Sequence, residues 1–177
     1  MAQEKKHYIQ FYYGMGKGKT TAALGLSFRA VGQGKKVIFL QWMKGRKDIG
    51  EMKVAKLLGS NFSIHQFGPT YFTWDKPGPA EHKRLAQVGL KFLEGVIAKK
   101  KYDVLVLDEI VDAVEFKFIP LAKTVSLIKK AVVKGEVIIT GHSAPKEFIK
   151  TADLVTEMKK VKHYFDQGQI ARIGIEY

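Results

Sequence analysis

The sequence predicts an α/β fold of three layers, in which helices cover both faces of a largely parallel sheet. Two observations support this prediction. Short runs rich in β-branched and aromatic residues alternate with helical stretches along the whole chain, as is typical of strand–helix–strand units. One of these runs, DVLVLD at 103–108, is continuously apolar, which is typical of a central parallel strand that is covered on both sides.

Strand predictions follow from local composition. Five internal segments are short, rich in β-branched or aromatic residues and separated by helical patterns. The C-terminal segment QIARIGIEY is predicted as a last strand that is antiparallel or lies at an edge. The predicted strands are 8–13, 36–41, 62–67, 103–108, 136–141 and 169–177.

Three helices are predicted from their periodicity. The first begins near Lys19 and is expected to be buried almost all round, because Arg29 is its only charge between residues 20 and 34. The other two show apolar stripes at helical spacing, which should pack on the sheet. These stripes are Leu85, Val88, Phe92 and Val96, widened by Leu93 and Ile97, and, after Pro120, Leu121, Val125, Ile128 and Val132.

Size and composition suit one globular domain over residues 1–177, with 46% apolar residues. No apolar run is long enough for a membrane helix and no signal peptide is evident, so a cytoplasmic protein without membrane contact is expected. The absence of cysteine excludes disulfides, thiolate metal sites and a cysteine nucleophile. A net charge of +13 favours an anionic partner, which could be a nucleotide, a nucleic acid or an acidic protein.

The segment between the first strand and the first helix carries a phosphate-binding pattern. It reads GxGKGKTT, a variant of GxxxxGK[ST] in which Tyr13 replaces the first glycine. Such a loop directs backbone N–H groups at phosphate oxygens, while its lysine reaches the phosphates and its hydroxyl binds Mg²⁺. The predicted ATP-binding residues are Gly14, Met15, Gly16, Lys17, Gly18, Lys19, Thr20 and Thr21.

Two acids end the apolar strand at 103–108. Asp108 and Glu109 lie at the carboxyl edge of the predicted sheet, where open α/β sheets bind ligands. One would hold Mg²⁺ directly or through water, and the other would position it or accept a hydrogen bond. The alternative is that both merely cap the next helix. Thr20, Asp108 and Glu109 are thus the predicted metal site, and with Lys19 they are the predicted catalytic residues.

The motifs in their order resemble the P-loop type of ATP:corrinoid adenosyltransferase, the cob(I)alamin adenosyltransferase family. The resemblance covers nearly the whole chain and depends on the variant loop together with the aromatic and C-terminal motifs. The matching segments are GMGKGKTTAALGLSFRAVGQGKKV, QWMKG, YFTWD, VLDEI, ITGHSAP and ADLVTEMKKVKHYFDQGQIARIGIEY. It implies a P-loop NTPase fold of the RecA-like type.

The resemblance also implies the reaction. Co(I) of cobalamin or a related corrinoid attacks the 5′-carbon of ATP, the triphosphate departs, and an adenosylcobalamin-type coenzyme forms. The enzyme would be of the cob(I)yrinic acid a,c-diamide adenosyltransferase type, with ATP and the corrinoid as substrates and Mg²⁺ as cofactor. Fixed donors and a cation around the departing triphosphate would then be the main contribution of the loop.

The aromatic motif is assigned to the corrinoid by the resemblance alone. Phe72 and Trp74 would press on the lower face of the corrin and displace its axial ligand, which makes Co(II) easier to reduce. Core packing is the alternative for these two rings. Arg29, Lys44 and Glu51 match positions that face the nucleotide or the corrinoid; we assign Arg29 and Lys44 to the corrinoid. Arg29 lies about 15 Å along the helix from Lys19, so it does not serve the same phosphates within one subunit.

Partner predictions also follow from the resemblance: a homodimer, and an electron-donating flavoprotein that supplies Co(I). No nucleic acid is expected. Met15 stands where the family loop often has Asn, and His142 stands where Arg is common. The competing hypotheses are a RecA-like ATPase stimulated by nucleic acid, a small nucleoside kinase, and a nucleotide-binding module without chemistry.

Overall fold

The structure is a computed structural model that describes residues 7–70 and 78–177. Its six strands form one parallel sheet in the order β3-β2-β4-β5-β1-β6. The strands are β1 (Ile9–Tyr13), β2 (Val37–Trp42), β3 (Phe62–Phe67), β4 (Val104–Asp108), β5 (Glu136–Gly141) and β6 (Leu154–Glu157). The helices are α1 (Lys19–Gly32), α2 (Gly50–Leu57), α3 (Pro79–Lys99), α4 (Ile110–Glu115), α5 (Leu121–Val132) and α6 (Lys146–Thr151).

Helices lie on both faces of the sheet and complete three layers. Residues of α1 and α2 pack on one face, against Val104 and Val106 of β4. Residues of α3, α4, α5 and α6 pack on the other face, against Leu105 and Leu107. Because successive side chains of a strand point to opposite faces, the uninterrupted apolar run of β4 is what a strand covered on both sides requires. The predicted fold class is confirmed.

The last predicted strand is wrong. Residues 169–177 contain a turn at 173–176 and no strand, and the sixth strand is instead Leu154–Glu157, which pairs in parallel with β1 at the edge of the sheet. The four residues of β6 are all exposed, and so short an edge strand has little apolar signal. The alternating sequence of 169–177 was therefore a stronger strand signal than that of β6, although residues 169–177 form no strand.

The prediction that α1 is buried almost all round is also wrong. Only Ala23 and Ser27 of this helix are buried, and Phe28 exposes 66% of its surface. The small residues of α1 serve close packing on one face of the sheet, and the opposite side of the helix faces solvent.

Both predicted stripes are helical, and the buried face of α3 is rotated relative to its predicted stripe. In α3 the buried residues are Ala86, Leu90, Leu93 and Val96, whereas Val88 and Phe92 are exposed. The wide apolar face of α3 allowed two stripes, and the one with the small residues Ala86 and Gly89 approaches the sheet more closely. The Trp42 indole accordingly donates to the Ala86 carbonyl at 3.2 Å. In α5 the predicted stripe does pack on the core: Ile128 is buried, and Leu121, Val125 and Val132 are partly buried against it.

A substitution pair within α3 tests this close approach. A Cβ on Gly89 would lie 2.7 Å from Cγ of Phe67, whereas a Cβ on Gly95 would meet nothing within 4 Å. Overpacking costs about 1–3 kcal/mol, while replacing a helical glycine by alanine gains about 0.5–1 kcal/mol. We expect Gly89→Ala to lower the free energy of unfolding in urea and Gly95→Ala to raise it. Equal stabilisation by both would contradict the packing of α3 on β3.

Candidate functional site

The loop after β1 has the backbone of a phosphate-binding turn. Gly14 and Gly18 have φ of 118° and 123°, values that side chains rarely tolerate. A Cβ on Gly14 or Gly16 would lie 2.5 Å from the carbonyl oxygen of Met158. The Gly16 amide donates to this same carbonyl at 2.7 Å. The chain just after β6 thus fixes the loop and leaves no room for larger residues there.

Lys19, the first residue of α1, folds back over this loop. Its ammonium donates to the carbonyl oxygens of Gly14, at 2.6 Å, and Gly16, at 3.1 Å. Burial lowers the pKa of Lys19, although the carboxylates of Asp112, Glu109 and Asp108 oppose this shift. The loop carbonyls hold the ammonium at the mouth of the loop, where an anionic ligand can replace them as its partner.

Asp108 ends β4 and is completely buried. Its Oδ1 accepts hydrogen bonds from Thr20 at 2.9 Å and from Thr140 at 2.8 Å, and its Oδ2 accepts one from Gln41 at 3.2 Å. Gln41 ends up beside Asp108 because these residues face each other in the β2–β4 register. The sequence predicted that Thr20, Asp108 and Glu109 would meet at the carboxyl edge of the sheet, and the structure brings them together. Gln41 and Thr140 were missed.

Lys44, in the segment after β2, supplies the cation for this group. Its Nζ lies 2.9 Å from Asp108 Oδ2, 3.3 Å from Glu109 Oε1 and 3.1 Å from Thr20 Oγ1. Burial alone would lower the pKa of Lys44, but the two carboxylates outweigh it and raise that pKa. Burial likewise favours the neutral form of Asp108, and the attraction of Lys44 with the hydrogen bonds overcomes it, so the pKa of Asp108 is lowered.

Glu109 behaves differently from its neighbour. Burial raises the pKa of Glu109, Asp108 and Asp112 add to the effect, and Lys44 only partly opposes it. The residue also has a φ of 58°, which is uncommon for a side chain other than Gly, Asn or Asp. Its amide donates to the Thr140 hydroxyl at 2.8 Å, and this bond helps to hold the turn between β4 and α4.

The oxygens of Thr20, Asp108 and Glu109 fit a hard divalent cation. Oxygen donors are the ligands that Mg²⁺ prefers, and it commonly binds through one or two carboxylates together with substrate phosphates. In this structure the same three side chains already surround one cationic group, the ammonium of Lys44. Within residues 7–70 and 78–177 there is no cluster of three or more His, Cys, Asp or Glu side chains that would hold a metal unaided.

His142 follows β5 on the same edge of the sheet. Its amide donates to Asp112 Oδ1 at 2.9 Å, and its Nδ1 lies 3.1 Å from Asp112 Oδ2. The bond to Asp112 raises the pKa of His142 despite partial burial, and Lys19 acts in the opposite direction. His142 thus lies next to the loop, at the position where arginine is common in the family that the sequence resembles.

A cleft of about 400 Å³ opens beside the loop. One wall consists of Lys19, Thr20, Lys44 and Glu109, and the opposite wall is the C-terminal strap, which we define as residues 172–177. Lys17 joins the two walls because its ammonium donates to Glu176 Oε1 and to the Tyr164 hydroxyl, both at 2.7 Å.

The strap is anchored at two more points. The Arg172 guanidinium lies 4.9 Å from the centre of the Tyr164 ring, and the Arg46 guanidinium lies 4.3 Å from the centre of the Tyr177 ring. Hydrogen bonds from Arg172 and Lys17 lower the pKa of Glu176, which stays ionised. None of the strap residues was predicted as part of the site, since acids and tyrosines at a chain end have no distinctive spacing.

The other predicted residues differ in where they lie. Met15 and Thr21 are exposed, and Thr21 lines the cleft. Arg29 is exposed in the last turn of α1, at the opposite end of this helix from Lys19. Glu51 accepts a hydrogen bond from Gln41 at 3.3 Å and also lines the cleft. Phe72 and Trp74 lie outside the described residues.

Comparison with known proteins decides the family. Residues 5–177 match the family described as ATP:corrinoid adenosyltransferase BtuR/CobO/CobP. The chain belongs to this family. Its relatives include the corrinoid adenosyltransferases of Escherichia coli K12 and Salmonella typhimurium LT2, each 35% identical over 99% of this chain and 88% of theirs. The enzyme of Pseudomonas aeruginosa is 31% identical over 99% of this chain and 86% of its own.

The fold has solved counterparts outside the family. The flagellar accessory protein FlaH from Methanocaldococcus jannaschii matches 86% of this chain and 72% of its own, with a TM-score of 0.57 and 14% sequence identity. This likeness concerns the fold alone. In the described part of the chain, no helix combines the length and apolar character needed to cross a membrane.

As a member of this family, the adenosyltransferase uses ATP and a corrinoid. The contacts of the strap lead to a prediction about ATP affinity. The Glu176 carboxylate forms an ion pair with Lys17 at the cleft. A polyphosphate that enters the cleft would therefore compete with this carboxylate for the Lys17 ammonium. We expect Glu176→Gln to bind ATP about 2- to 5-fold more tightly, the range of an exposed ion pair. The gain should shrink as salt is added, and fluorescence titration would measure it.

Asp166→Asn provides the matched control. It removes a carboxylate that pairs with Lys160 at 2.9 Å in the same C-terminal region, and neither residue lines the cleft. Its ATP affinity should equal that of the unchanged protein. Weaker ATP binding by Glu176→Gln would mean that the strap supports the nucleotide instead of competing with it.

Proposed function

We propose that this corrinoid adenosyltransferase holds ATP by its triphosphate and presents the ribose 5′-carbon to Co(I). The proposal is carried by one observation: Lys19 at the loop and the group formed by Thr20, Asp108 and Glu109 open onto the same cleft or lie directly beneath it. In this assignment the loop residues 14–21 bind ATP. Lys19, Thr20, Asp108 and Glu109 are the catalytic residues because they act on the leaving group.

The bond changes explain why such a site suffices. The cobalt–carbon bond forms with the electron pair of Co(I), the C5′–O5′ bond breaks, and its electron pair leaves with the triphosphate. No protein nucleophile or general base is needed. Negative charge develops on the departing oxygens, and fixed positive groups placed around them stabilise that charge. Lys19 supplies one of these groups, and the backbone N–H groups of the loop supply others.

We further propose that Mg²⁺ binds at Thr20, Asp108 and Glu109. Bound there, it would neutralise phosphate charge and orient the triphosphate. The Thr20 hydroxyl donates a 2.9 Å hydrogen bond to Asp108, and this bond keeps the two side chains next to each other. Thr140 and Gln41 fix the Asp108 carboxylate from the two neighbouring strands, so these two residues position the proposed metal ligand.

On the corrinoid side, we propose that Phe72 and Trp74 form the platform under the corrin ring and that Arg29 acts at this substrate as well. The family resemblance supports these roles. Lys44 was grouped with these corrinoid residues from its sequence position. Its side chain contacts Asp108, Glu109 and Thr20, and these contacts support a role at the proposed metal site.

Partner proposals complete the function. We propose a homodimer and an electron-donating flavoprotein, the first of which has some support in surface composition. Large apolar side chains are strongly exposed near the C-terminus, where Val161 exposes 89%, Ile170 76% and Ile173 79% of their surfaces. A second copy of the chain packed on this region would remove these side chains from water.

The central test is a single-turnover assay with ATP, Mg²⁺ and chemically reduced corrinoid. We expect a light-sensitive cobalt–carbon product together with free triphosphate, and Lys19→Met should slow the reaction by about 100-fold or more, as does the loss of other electrostatic donors. Lys150→Met, an exposed lysine of α6, is the control. Rapid cleavage of ATP between its phosphates without any corrinoid, or stimulation of that cleavage by nucleic acid, would overturn the proposal.

The same assay addresses the acceptor. We propose the cob(I)yrinic acid a,c-diamide type of activity, so the diamide should be adenosylated at least as fast as complete cobalamin. Strict use of complete cobalamin would contradict this assignment and leave the chemistry at the triphosphate unchanged.

The aromatic platform has its own prediction. If Trp74 displaces the lower axial ligand, its loss matters most when Co(II) must first be reduced. We expect Trp74→Ala to retain most activity with chemically prepared Co(I) and to lose most activity when the assay starts from Co(II) and a reduced flavoprotein. Trp42→Phe would be an unsuitable control because Trp42 is a core residue; the exposed Phe165→Ala is the matched aromatic control. Equal activity of Trp74→Ala in both assays would remove the platform role.

A further inference from the structure

Close packing of the segment around Lys44 fixes the backbone position of this lysine. Met43 has a φ of 60°, and a Cβ on Gly45 would lie 2.2 Å from the Gly68 carbonyl oxygen, while a Cβ on Gly68 would lie 2.4 Å from the Lys44 amide nitrogen. The backbones of 43–45 and 68–69 are thus packed without space for side chains. Since the backbone is fixed, movement of the Lys44 charge requires movement of its side chain.

The Lys44 ammonium lies where a metal ion would bind. It contacts one oxygen each from Thr20, Asp108 and Glu109, at 2.9–3.3 Å, and these are the three residues of the proposed Mg²⁺ site. An ammonium and a divalent cation repel each other strongly at such distances, and they would compete for the same oxygens. Both cannot be accommodated by two carboxylates and a hydroxyl.

We propose that Lys44 is a resident counter-ion that excludes the metal until the nucleotide arrives. In the nucleotide-free protein it neutralises buried Asp108. With a metal–triphosphate complex in the cleft, Thr20, Asp108 and Glu109 would hold the metal, and the Lys44 ammonium would turn to the phosphates, which carry the charge needed to hold both cations. Lys44 lines the cleft and its side chain is 25% exposed, so this path is short. The inference rests on the proposed metal site.

The consequence is a strict coupling between metal and nucleotide. Free Mg²⁺ would bind the nucleotide-free protein poorly, because it must displace an ammonium without any compensating anion. Lys44 then acts as a positioning residue for the reaction. It prevents Asp108 and Glu109 from binding a metal ion before ATP is present, so that these carboxylates bind the metal only together with the triphosphate.

The experiment measures Mn²⁺ binding to the nucleotide-free protein by the loss of the free Mn²⁺ signal in electron paramagnetic resonance. Mn²⁺ has ligand preferences close to those of Mg²⁺. We expect Lys44→Met to bind one Mn²⁺ at least about 10-fold more tightly than the unchanged protein, a difference of about 1.4 kcal/mol. Lys44→Arg, which keeps the charge, and Lys47→Met, which removes an exposed lysine from the same segment, should bind Mn²⁺ as weakly as the unchanged protein.

A double variant locates the gained site. Adding Thr20→Val to Lys44→Met should abolish the extra Mn²⁺ binding, because the hydroxyl is one of the three oxygens. Thermal unfolding gives a second measurement without activity. Mg²⁺ alone should raise the melting temperature of Lys44→Met and should not change the melting temperature of the unchanged protein. Should the buried Asp108 prevent Lys44→Met from folding, Lys44→Gln retains a hydrogen-bond donor without the charge and carries the same expectations.

Two failures can be told apart. If Lys44→Met and Lys44→Gln gain no Mn²⁺ affinity while Mg²⁺ still strengthens the stabilisation of the unchanged protein by ATP, the counter-ion proposal is wrong and the metal site stands. If Mg²⁺ does not affect stabilisation by ATP, or Thr20→Val leaves its effect unchanged, the proposed metal site itself is wrong. Tight Mn²⁺ binding by the unchanged, nucleotide-free protein would overturn the counter-ion proposal directly.

Discussion

The buried carboxylate of Asp108 is the constraint on which this site depends. A charge that is completely removed from water is costly unless cations and hydrogen-bond donors surround it. Here the donors come from three directions: Gln41 at the end of β2, Thr140 at the end of β5 and Thr20 at the start of α1. Because those elements meet only if the strands are ordered and registered as they are, the need to satisfy one carboxylate joins the sheet topology to the phosphate-binding loop.

The surrounding charges follow from the same constraint. Lys44 neutralises Asp108, and its attraction is divided between Asp108 and Glu109. The pKa of Asp108 is therefore lowered while the pKa of Glu109 is raised, since Glu109 has fewer compensating donors and two acidic neighbours. Two adjacent carboxylates with opposite shifts have different abilities to release a proton. Asp108 is enclosed by donors from three elements, and Glu109 shares the Lys44 ammonium with it.

The sequence was most informative where backbone geometry and residue type coincide. The glycines of the loop, the apolar run of β4 and the acids after it each permit few alternatives, so the loop and its carboxylates could be predicted together with the parallel sheet. Prediction failed where contacts made by distant residues decide the outcome. The rotation of α3 depends on how closely Gly89 approaches Phe67, and β6 depends on pairing with β1. The contacts of Lys44 arise from a segment interlocked with residues 68–69, for which single-sequence patterns carry no signal.

The C-terminal strap shows how a strongly basic protein can avoid holding its phosphate site permanently open. Lys17 is bound by Glu176 and Tyr164, Lys19 by the loop carbonyls, and Lys44 by the acids below the cleft. Each cation near the cleft therefore has an internal partner that an anion must replace. A triphosphate can replace several of these partners at once, whereas a monophosphate replaces few. If the cleft holds ATP by its triphosphate as proposed, these already paired lysines would favour an anion that can contact several of them at once.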